Sequence, residues 1–163
     1  RAEAAVSPLL DSLQTIPPLI YAIPFVMIFT VGPVPGIVAA VVYAIPPGIR
    51  LTSLGIRQVN KESIEAATTF GATQRQVLWG VRIPLAMPSI ILAVNQMVMM
   101  VLAMAIIAGM VGGEGLGYRS VEALTRSNSG LGAEVGIAIV LMATILDRLS
   151  QALAKRMQAP AAL

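Results

Sequence analysis

Four long apolar stretches alternate with more polar segments along this chain of 163 residues. A helix that crosses the hydrocarbon core of a bilayer needs about 20 mostly apolar residues, and none of the four stretches has an ionisable residue near its centre. The predicted spans are residues 14–32, 34–51, 85–111 and 131–149. Prolines lie within three of them, which membrane helices tolerate when their neighbours satisfy the freed carbonyls. The pattern predicts an all-α, polytopic membrane domain that occupies residues 1–163 as a single unit.

The composition agrees with lipid as the main solvent. Apolar residues make up 56% of the chain and charged residues only 12%, whereas a soluble domain is about 25% charged. The chain has no cysteine and no histidine, which removes thiol nucleophiles and the commonest zinc ligands, so we expect no catalytic residue and no metal site. The net charge of +3 comes without a basic run or an aromatic platform, so nothing indicates nucleic-acid binding.

Positive side chains concentrate at two places, the polar stretch Arg50–Arg82, which contains most of the loop over residues 52–84, and the segment at the end of the last span and after it. They are Arg50, Arg57, Lys61, Arg75 and Arg82 at the loop, and Arg148, Lys155 and Arg156 at the second place. Cytoplasmic segments of membrane proteins carry an excess of lysine and arginine. We therefore place residues 52–84 and the C-terminus in the cytoplasm and residues 112–130 outside. Because the chain begins at Arg1 rather than at a methionine, we treat the number of spans as a lower bound.

The cytoplasmic loop carries the signals of two short helices. Asn60 is a good N-cap for a first helix over residues 61–70, and Gly71 is a natural residue to end it. Thr73 and Gln76 have the T-x-x-Q spacing of a capping box that would start a second helix. The loop is predicted to be a short helix, a glycine hinge and another short helix that leads into the third span.

The first of these helices carries a longer motif. Glu65-Ala66-Ala67 is followed after three residues by Gly71, and after nine more by Val81-Arg82-Ile83-Pro84. The motif resembles the EAA loop of permeases of binding-protein-dependent ABC importers, in which E-A-A, three residues, G and nine residues precede I-x-L-P. The two departures, at Val81 and Ile83, are conservative. Amphipathicity alone would suit a loop helix that packs on its own protein or on the membrane surface.

The resemblance continues outside the loop, toward the permeases of glycine betaine, proline betaine, choline and carnitine importers. The matching segments include Gln14-Thr15-Ile16-Pro17, Ala44-Ile45-Pro46-Pro47, Pro84-Leu85-Ala86-Met87-Pro88 and Ile145-Leu146-Asp147-Arg148. The resemblance implies the type I importer permease fold and a coupling helix that docks on a separate ATPase subunit. The residues that it assigns to this coupling are Glu65, Ala66, Ala67, Gly71, Val81, Ile83 and Pro84.

The same resemblance implies the rest of the machine. The chain would form the translocation pathway for a quaternary amine osmolyte in the bacterial cytoplasmic membrane. ATP and Mg would bind to the partner ATPase, with no cofactor on this chain. The other implied partners are an extracytoplasmic substrate-binding protein or domain and a second copy of the permease. Two alternatives stay open: a permease of the same superfamily for another amine or an amino acid, and a membrane scaffold or channel subunit that transports nothing by itself.

Two groups of residues outside the loop are candidates for the transport path. Asn95 and Gln96 lie within the third span, where polar amides either line a wet path or form a hydrogen bond between helices. The glycine-rich segment after that span contains Gly113, Gly115 and Gly117. These glycines form either a pliable external gate or a tight turn with close backbone packing, and we favour the second interpretation.

Other side chains receive plainer interpretations. The methionines of the third span, such as Met104, are expected to fill the core, and Asp147 with Arg148 is expected to be a helix-end anchor or a subunit contact. Quaternary ammonium groups are usually bound in aromatic cages, but Trp79 lies in the cytoplasmic loop, and Tyr21, Tyr43 and Tyr118 are expected to be scattered. We therefore expect high-affinity selection of the substrate on the binding protein.

Overall fold

The structure, a computed structural model that describes residues 2–158, consists of helices and short connections, with no strand in that range. The helices are α1 (Ala2–Thr15), α2 (Pro18–Phe29), α3 (Pro33–Arg57), α4 (Lys61–Thr69), α5 (Gln74–Val77), a π-helical segment (Leu78–Arg82), α6 (Ile83–Met110), α7 (Leu116–Thr125) and α8 (Ser129–Gln158). The predicted all-α fold is confirmed.

Three helices of the described chain are long and apolar enough to cross a membrane. They are Pro33–Arg57, Gln74–Met110 and Ser129–Arg156. They cover the predicted spans 34–51 and 131–149 and all of 85–111 except residue 111, and each extends beyond its predicted span at one end or both. The continuation is physically reasonable, because a helix ends where its backbone hydrogen bonds find other partners, which need not be the edge of the apolar stretch.

The first predicted span, residues 14–32, is not one straight helix. The segments Pro8–Thr15 and Pro18–Phe29 are bent by 92° at the break between them. Pro17 is extended, with φ −57° and ψ 140°, because the residue before a proline avoids the helical region and Pro18 follows it. The 12 residues of α2 are about 18 Å long, which is short of a bilayer core. By length and composition, residues 2–158 thus contain three helices able to span a membrane, or four if the bent pair counts as one span.

The centre of the protein lies where α3 crosses α6, and α2 packs beside them. Glycines of α3 bring the two backbones close: a Cβ on Gly36 would lie 2.4 Å from the Cβ of Ala108, and one on Gly55 would lie 2.5 Å from the Cβ of Ser89. Met104 is 1% exposed in this core, as expected for a core-filling side chain.

Two tyrosines that are distant in the sequence meet in this core. The rings of Tyr21 and Tyr43 are 5.5 Å apart in an edge-to-face arrangement, so the expectation that they are scattered is wrong. Tyr21 is buried beside Ala39 and Met104, and its hydroxyl donates a hydrogen bond to the carbonyl of Leu13. The pair packs α2 against α3.

The two ends of the bundle are tied by different contacts. At one end, the backbone N–H of Gly32 donates to the carbonyl of Val111 over 3.1 Å, which joins the turn before α3 to the end of α6. At the other end, Arg50 of α3 forms an ion pair with Asp11 of α1. The loop with α4 lies after the Arg50 end of α3, and the glycine-rich segment lies at the Gly32 end.

Candidate functional site

Helix α4 begins at Lys61 as the sequence predicts and ends at Thr69, one residue before the predicted end. The backbone N–H of Glu62 donates to Oδ1 of Asn60 over 2.9 Å, so Asn60 is the N-cap. Thr73 and Gln76 form the predicted capping box of α5, in which the N–H of Thr73 donates to Oε1 of Gln76 over 2.8 Å. Both short helices therefore begin at the predicted caps, and α5 is also held by its buried residue Val77.

The surface of α4 is open. None of its residues is buried, and Glu65 and Ala66 are exposed whereas Ala67 is half-buried. Just after the helix, the aromatic ring of Phe70 is 91% exposed. The exposed positions of α4 are mainly polar, and Phe70 adds one exposed apolar ring beside them. The helix and Phe70 together form a mixed polar and apolar surface that is open to contact.

Gly71 ends α4 in a conformation that few other residues adopt. Its φ is +83°, and nothing lies within 4 Å of the position that a Cβ would take. Glycine is needed here for the backbone angle, since an L-residue in the left-handed region is strained by about 1–2 kcal/mol. The backbone N–H of Gly71 donates to the carbonyl oxygen of Thr68 over 3.0 Å.

The rest of the motif lies on one long, continuous helical unit. Residues Gln74–Met110 run as one helical unit from the loop into the membrane domain, and Val81 belongs to the π-helical segment within it. Ile83 and Pro84 open α6. A proline removes a backbone donor and clashes with the preceding turn, and a π-segment just before it widens that turn. The third span is therefore joined directly to α5 rather than starting at residue 85.

The two amides of the third span have different surroundings. Nδ2 of Asn95 donates to Oδ1 of Asp147 on α8 over 2.8 Å, so the interpretation of an interhelical hydrogen bond holds for Asn95. Gln96 is exposed. Both residues line a cavity of about 370 Å³ between α3 and α6, together with Gln58 and Ser89. A role in the path remains a prediction for both.

Asp147 was expected to be a helix-end anchor or a subunit contact, and the structure adds a contact to α6 that the sequence analysis did not predict. Its second carboxylate oxygen accepts from Nε2 of Gln151 over 2.7 Å, so it is the centre of a polar cluster. A signal was present: Asn95 lies 12 residues after the start of α6 at Ile83, and Asp147 lies 11 residues before the end of α8 at Gln158. Because α7 joins the other ends of these helices, the two side chains reach similar depths.

The glycine-rich segment is closely packed. A Cβ on Gly117 would lie 1.8 Å from the carbonyl oxygen of Ala105, and one on Gly113 would lie 2.6 Å from that of Ala108. Gly115 has open space around it and a φ of +77°. The interpretation of a tight turn with close packing therefore fits, and a gating role remains a prediction. In the described residues, no group of three or more acidic side chains is placed to hold a metal ion.

Comparison with known proteins places this architecture in context. A family described as binding-protein-dependent transport system inner membrane component matches residues 1–159. The chain is 48% identical over 154 residues to the glycine betaine/carnitine transport permease protein GbuB of Listeria monocytogenes, covering 94% of this chain and 55% of that protein. It is 47% identical over 155 residues to the glycine betaine/proline betaine transport system permease protein ProW of Escherichia coli, covering 95% and 44%. The chain thus spans about half the length of these curated relatives.

Relatives with another substrate in their name and a solved structure complete the comparison. The trimethylamine N-oxide transport system permease protein TmoV of Ruegeria pomeroyi is 42% identical over 150 residues, which cover 92% of this chain and 23% of that protein. A structure of the MetNI methionine ABC transporter in inward facing conformations superposes with a TM-score of 0.86 at 22% identity, covering 96% of this chain and 76% of that chain. The structural likeness shows the fold.

Proposed function

This chain belongs to the family of inner membrane components of binding-protein-dependent transport systems, and it is a multi-pass membrane protein. On that premise, we propose that it forms the translocation pathway of an ATP-driven importer for glycine betaine or a related quaternary amine. The substrate class rests on the names of its relatives, which include glycine betaine, carnitine and proline betaine permeases. The chain itself catalyses no reaction in this proposal. ATP and Mg are bound by a separate ATPase subunit.

The observation that carries the proposal is that the exposed helix α4 lies just before the long helical unit Gln74–Met110, which enters the membrane domain. Glu65 and Ala66 are exposed, and the helix is attached to the membrane domain through the continuous unit Gln74–Met110. A movement of α4 by a bound ATPase would therefore move α6 as well. In this role Ala67 and Gly71 shape the docking helix.

The remaining motif residues belong to the helical unit Gln74–Met110 rather than to the surface that would contact the ATPase. Val81 and Ile83 are half-buried, and with Pro84 they form the joint between the π-helical segment and α6. Rigid elements that join a soluble motor to buried helices transmit discrete shifts, as in other hinge and shear transitions. The proposed assembly contains two copies of this chain, two ATPase subunits and an extracytoplasmic substrate-binding protein or domain.

The test is reconstitution of the complete permease with its ATPase and binding protein in proteoliposomes. We expect ATP-dependent uptake of glycine betaine that requires all three components. Uptake of trimethylamine N-oxide in preference to glycine betaine would assign the alternative substrate that one group of relatives suggests. ATP hydrolysis with no uptake of any amine, or no ATPase partner at all, would favour the scaffold or channel interpretation and contradict the proposal.

The proposal also fixes an orientation in the bacterial cytoplasmic membrane, with α4 inside and α7 outside. The chain has no cysteine, so single cysteines report their own position. A cysteine at Ser127, which is exposed, should react with an impermeant thiol reagent in intact cells. One at Thr69, exposed on α4, should react only after the membrane is opened. The reverse pattern would contradict the orientation.

A further inference from the structure

A single carboxylate lies within the polar cluster between α6 and α8. Asp147 belongs to Ser129–Arg156, one of the three helices long enough to span the membrane. Its two oxygens accept one hydrogen bond each, from Asn95 over 2.8 Å and from Gln151 over 2.7 Å. Both donors are neutral amides, so they orient the carboxylate without cancelling its charge.

Asp147 forms no ion pair within 4 Å with a positive side chain of the described residues, and its chain neighbour Arg148 acts on it only at longer range. Ion pairs that do form in this part of the chain include Arg50 with Asp11, and Arg119 and Arg126 with Glu122. An ionised group within a membrane span is costly, and such groups usually pair with another charge or line the path of an ion or substrate. Because Asp147 is partly exposed, a cation from outside the chain is able to reach it.

Beside the carboxylate lies a hydrogen-bond acceptor without a donor, the side-chain carbonyl of Asn95. The Oδ1 atom of Asn95 is buried and has no hydrogen-bond partner in the structure, although buried carbonyl groups normally find a donor. Asn95 also lines the cavity of about 370 Å³ that contains Gln58, Ser89 and Gln96. It therefore links a negative charge on α8 to an open space between α3 and α6.

We propose that Asp147, oriented by Asn95 and Gln151, is a binding station for the cationic head of a small quaternary ammonium molecule within the membrane domain. An ammonium group without N–H needs a negative charge but no hydrogen-bond acceptor, and each oxygen of Asp147 already accepts a hydrogen bond. The carbonyl dipole of Asn95 adds to the negative potential. The inference rests on the proposed function for its ligand class and goes beyond it by naming a site on this chain.

A purely structural clamp makes a different prediction from a binding station. Asp147→Asn keeps the size of the side chain and an oxygen that accepts from Asn95, so a clamp between α6 and α8 survives it. The same substitution removes the negative charge, so a cation station does not survive. Glu134→Gln is the matched control, because it removes one negative charge from an exposed site on the same helix, about 20 Å away along the axis.

The charge is measured with a thiol reporter, since the chain contains no cysteine. Thr144 is exposed one turn before Asp147. In the permease–ATPase complex in lipid nanodiscs, Thr144→Cys is reacted with trimethylammonioethyl methanethiosulfonate, a cation, and with sulfonatoethyl methanethiosulfonate, an anion. The ratio of the cation rate to the anion rate should fall about fivefold or more with Asp147→Asn. It should stay unchanged with Glu134→Gln.

Binding of a cation at the station is measured as protection of the cysteine at position 144 from the thiol reagent. This measurement is made with Asp147 unchanged. Tetramethylammonium chloride should slow the reaction of the cysteine at 144 relative to sodium chloride at equal ionic strength, and this protection should vanish with Asp147→Asn. An unchanged rate ratio, or equal rates in the two salts, would overturn the station.

Uptake separates this inference from the function on which it rests. In proteoliposomes with the ATPase and binding protein, Asp147→Asn should lower glycine betaine uptake at least fivefold while the ATPase remains bound, and Asp147→Glu should restore part of it. Full uptake by Asp147→Asn would overturn the station and leave the proposed function intact. Protection by tetramethylammonium in a parent complex that imports no amine would support the station and contradict the proposed function.

Discussion

The two ends of α6 both rely on glycine, but for opposite reasons. At the α4 end, Gly71 lies in open space and is needed for its φ of +83°. At the α7 end, Gly117 is needed because the backbone of Ala105 leaves no room for a Cβ. One end is fixed by local caps and by the buried Val77 of α5 and leaves the surface of α4 exposed, whereas the other is locked by close backbone packing. A partner is therefore able to contact α4 directly.

The largest expected effect is at the packed end. Gly117→Ala adds a Cβ that would lie 1.8 Å from the carbonyl oxygen and 2.7 Å from the carbonyl carbon of Ala105. These are backbone atoms of α6, which do not turn aside as a side chain does. We expect a loss of about 3 kcal/mol in the free energy of unfolding, measured by denaturation of the purified permease in detergent.

The control for that substitution is Gly136→Ala on α8, where nothing lies within 4 Å of the added Cβ. It should be neutral or stabilising by up to about 1 kcal/mol, because alanine is the better helix former. Equal stability of the two variants would show that the α7 end is not locked by packing and would remove the contrast between the two ends.

A smaller effect is expected at the caps of the exposed end. Asn60→Ala removes the acceptor for the N–H of Glu62 and should cost about 1 kcal/mol of local helix stability. Hydrogen exchange of the α4 amides should become about fivefold faster, while exchange in α3 stays the same. The matched variant is Thr68→Ala, whose hydroxyl bonds only to carbonyls of its own helix, and it should leave exchange unchanged. Faster exchange in both variants would mean that the cap is not what fixes α4.

The smallest effect is expected at the joint between the π-helical segment and α6. Val81 is half-buried in the π-helical segment, and Val81→Ile adds one methylene and restores the usual residue of the EAA pattern. A change below about 0.5 kcal/mol in stability is typical of such a position, and uptake should stay within twofold of the parent. A severe loss of uptake would show that the joint is packed more tightly than its exposure indicates.

The sequence predicted the features that depend on neighbouring residues. The caps at Asn60 and Thr73 and the helix end at Gly71 follow from side chains that bond within three positions, so a single sequence contains all the information. The family match and the betaine permeases among the relatives confirm the resemblance. The EAA pattern was a specific signal because it combines many residues at fixed spacing.

The features that depend on distant residues were missed or misplaced. The bend of 92° before α2 depends on where α1 packs, which the prolines at 17 and 18 permit but do not specify. The pairing of Tyr21 with Tyr43 and of Asn95 with Asp147 requires the packing of separate helices. Hydropathy also started the third helix too late, at residue 85 rather than at Gln74, since it does not register that a polar helix continues into an apolar one.

The central claim is that α4 is the element that couples this chain to an ATPase, and Gly71→Val tests it most directly. A β-branched residue at φ +83° is strained by about 1–2 kcal/mol or more, so α4 should tilt while the membrane helices remain intact. Gly80→Val is the matched control, because Gly80 also lies in open space but without a positive φ.

The measurement is co-purification of the ATPase with each variant, followed by ATP-driven uptake in proteoliposomes. Both variants should insert into the membrane at the level of the parent. Gly80→Val should retain the ATPase and transport, whereas Gly71→Val should lose at least tenfold in ATPase association or in uptake. A Gly71→Val variant that inserts, binds the ATPase and transports like the parent would contradict the assignment of α4 as the coupling element.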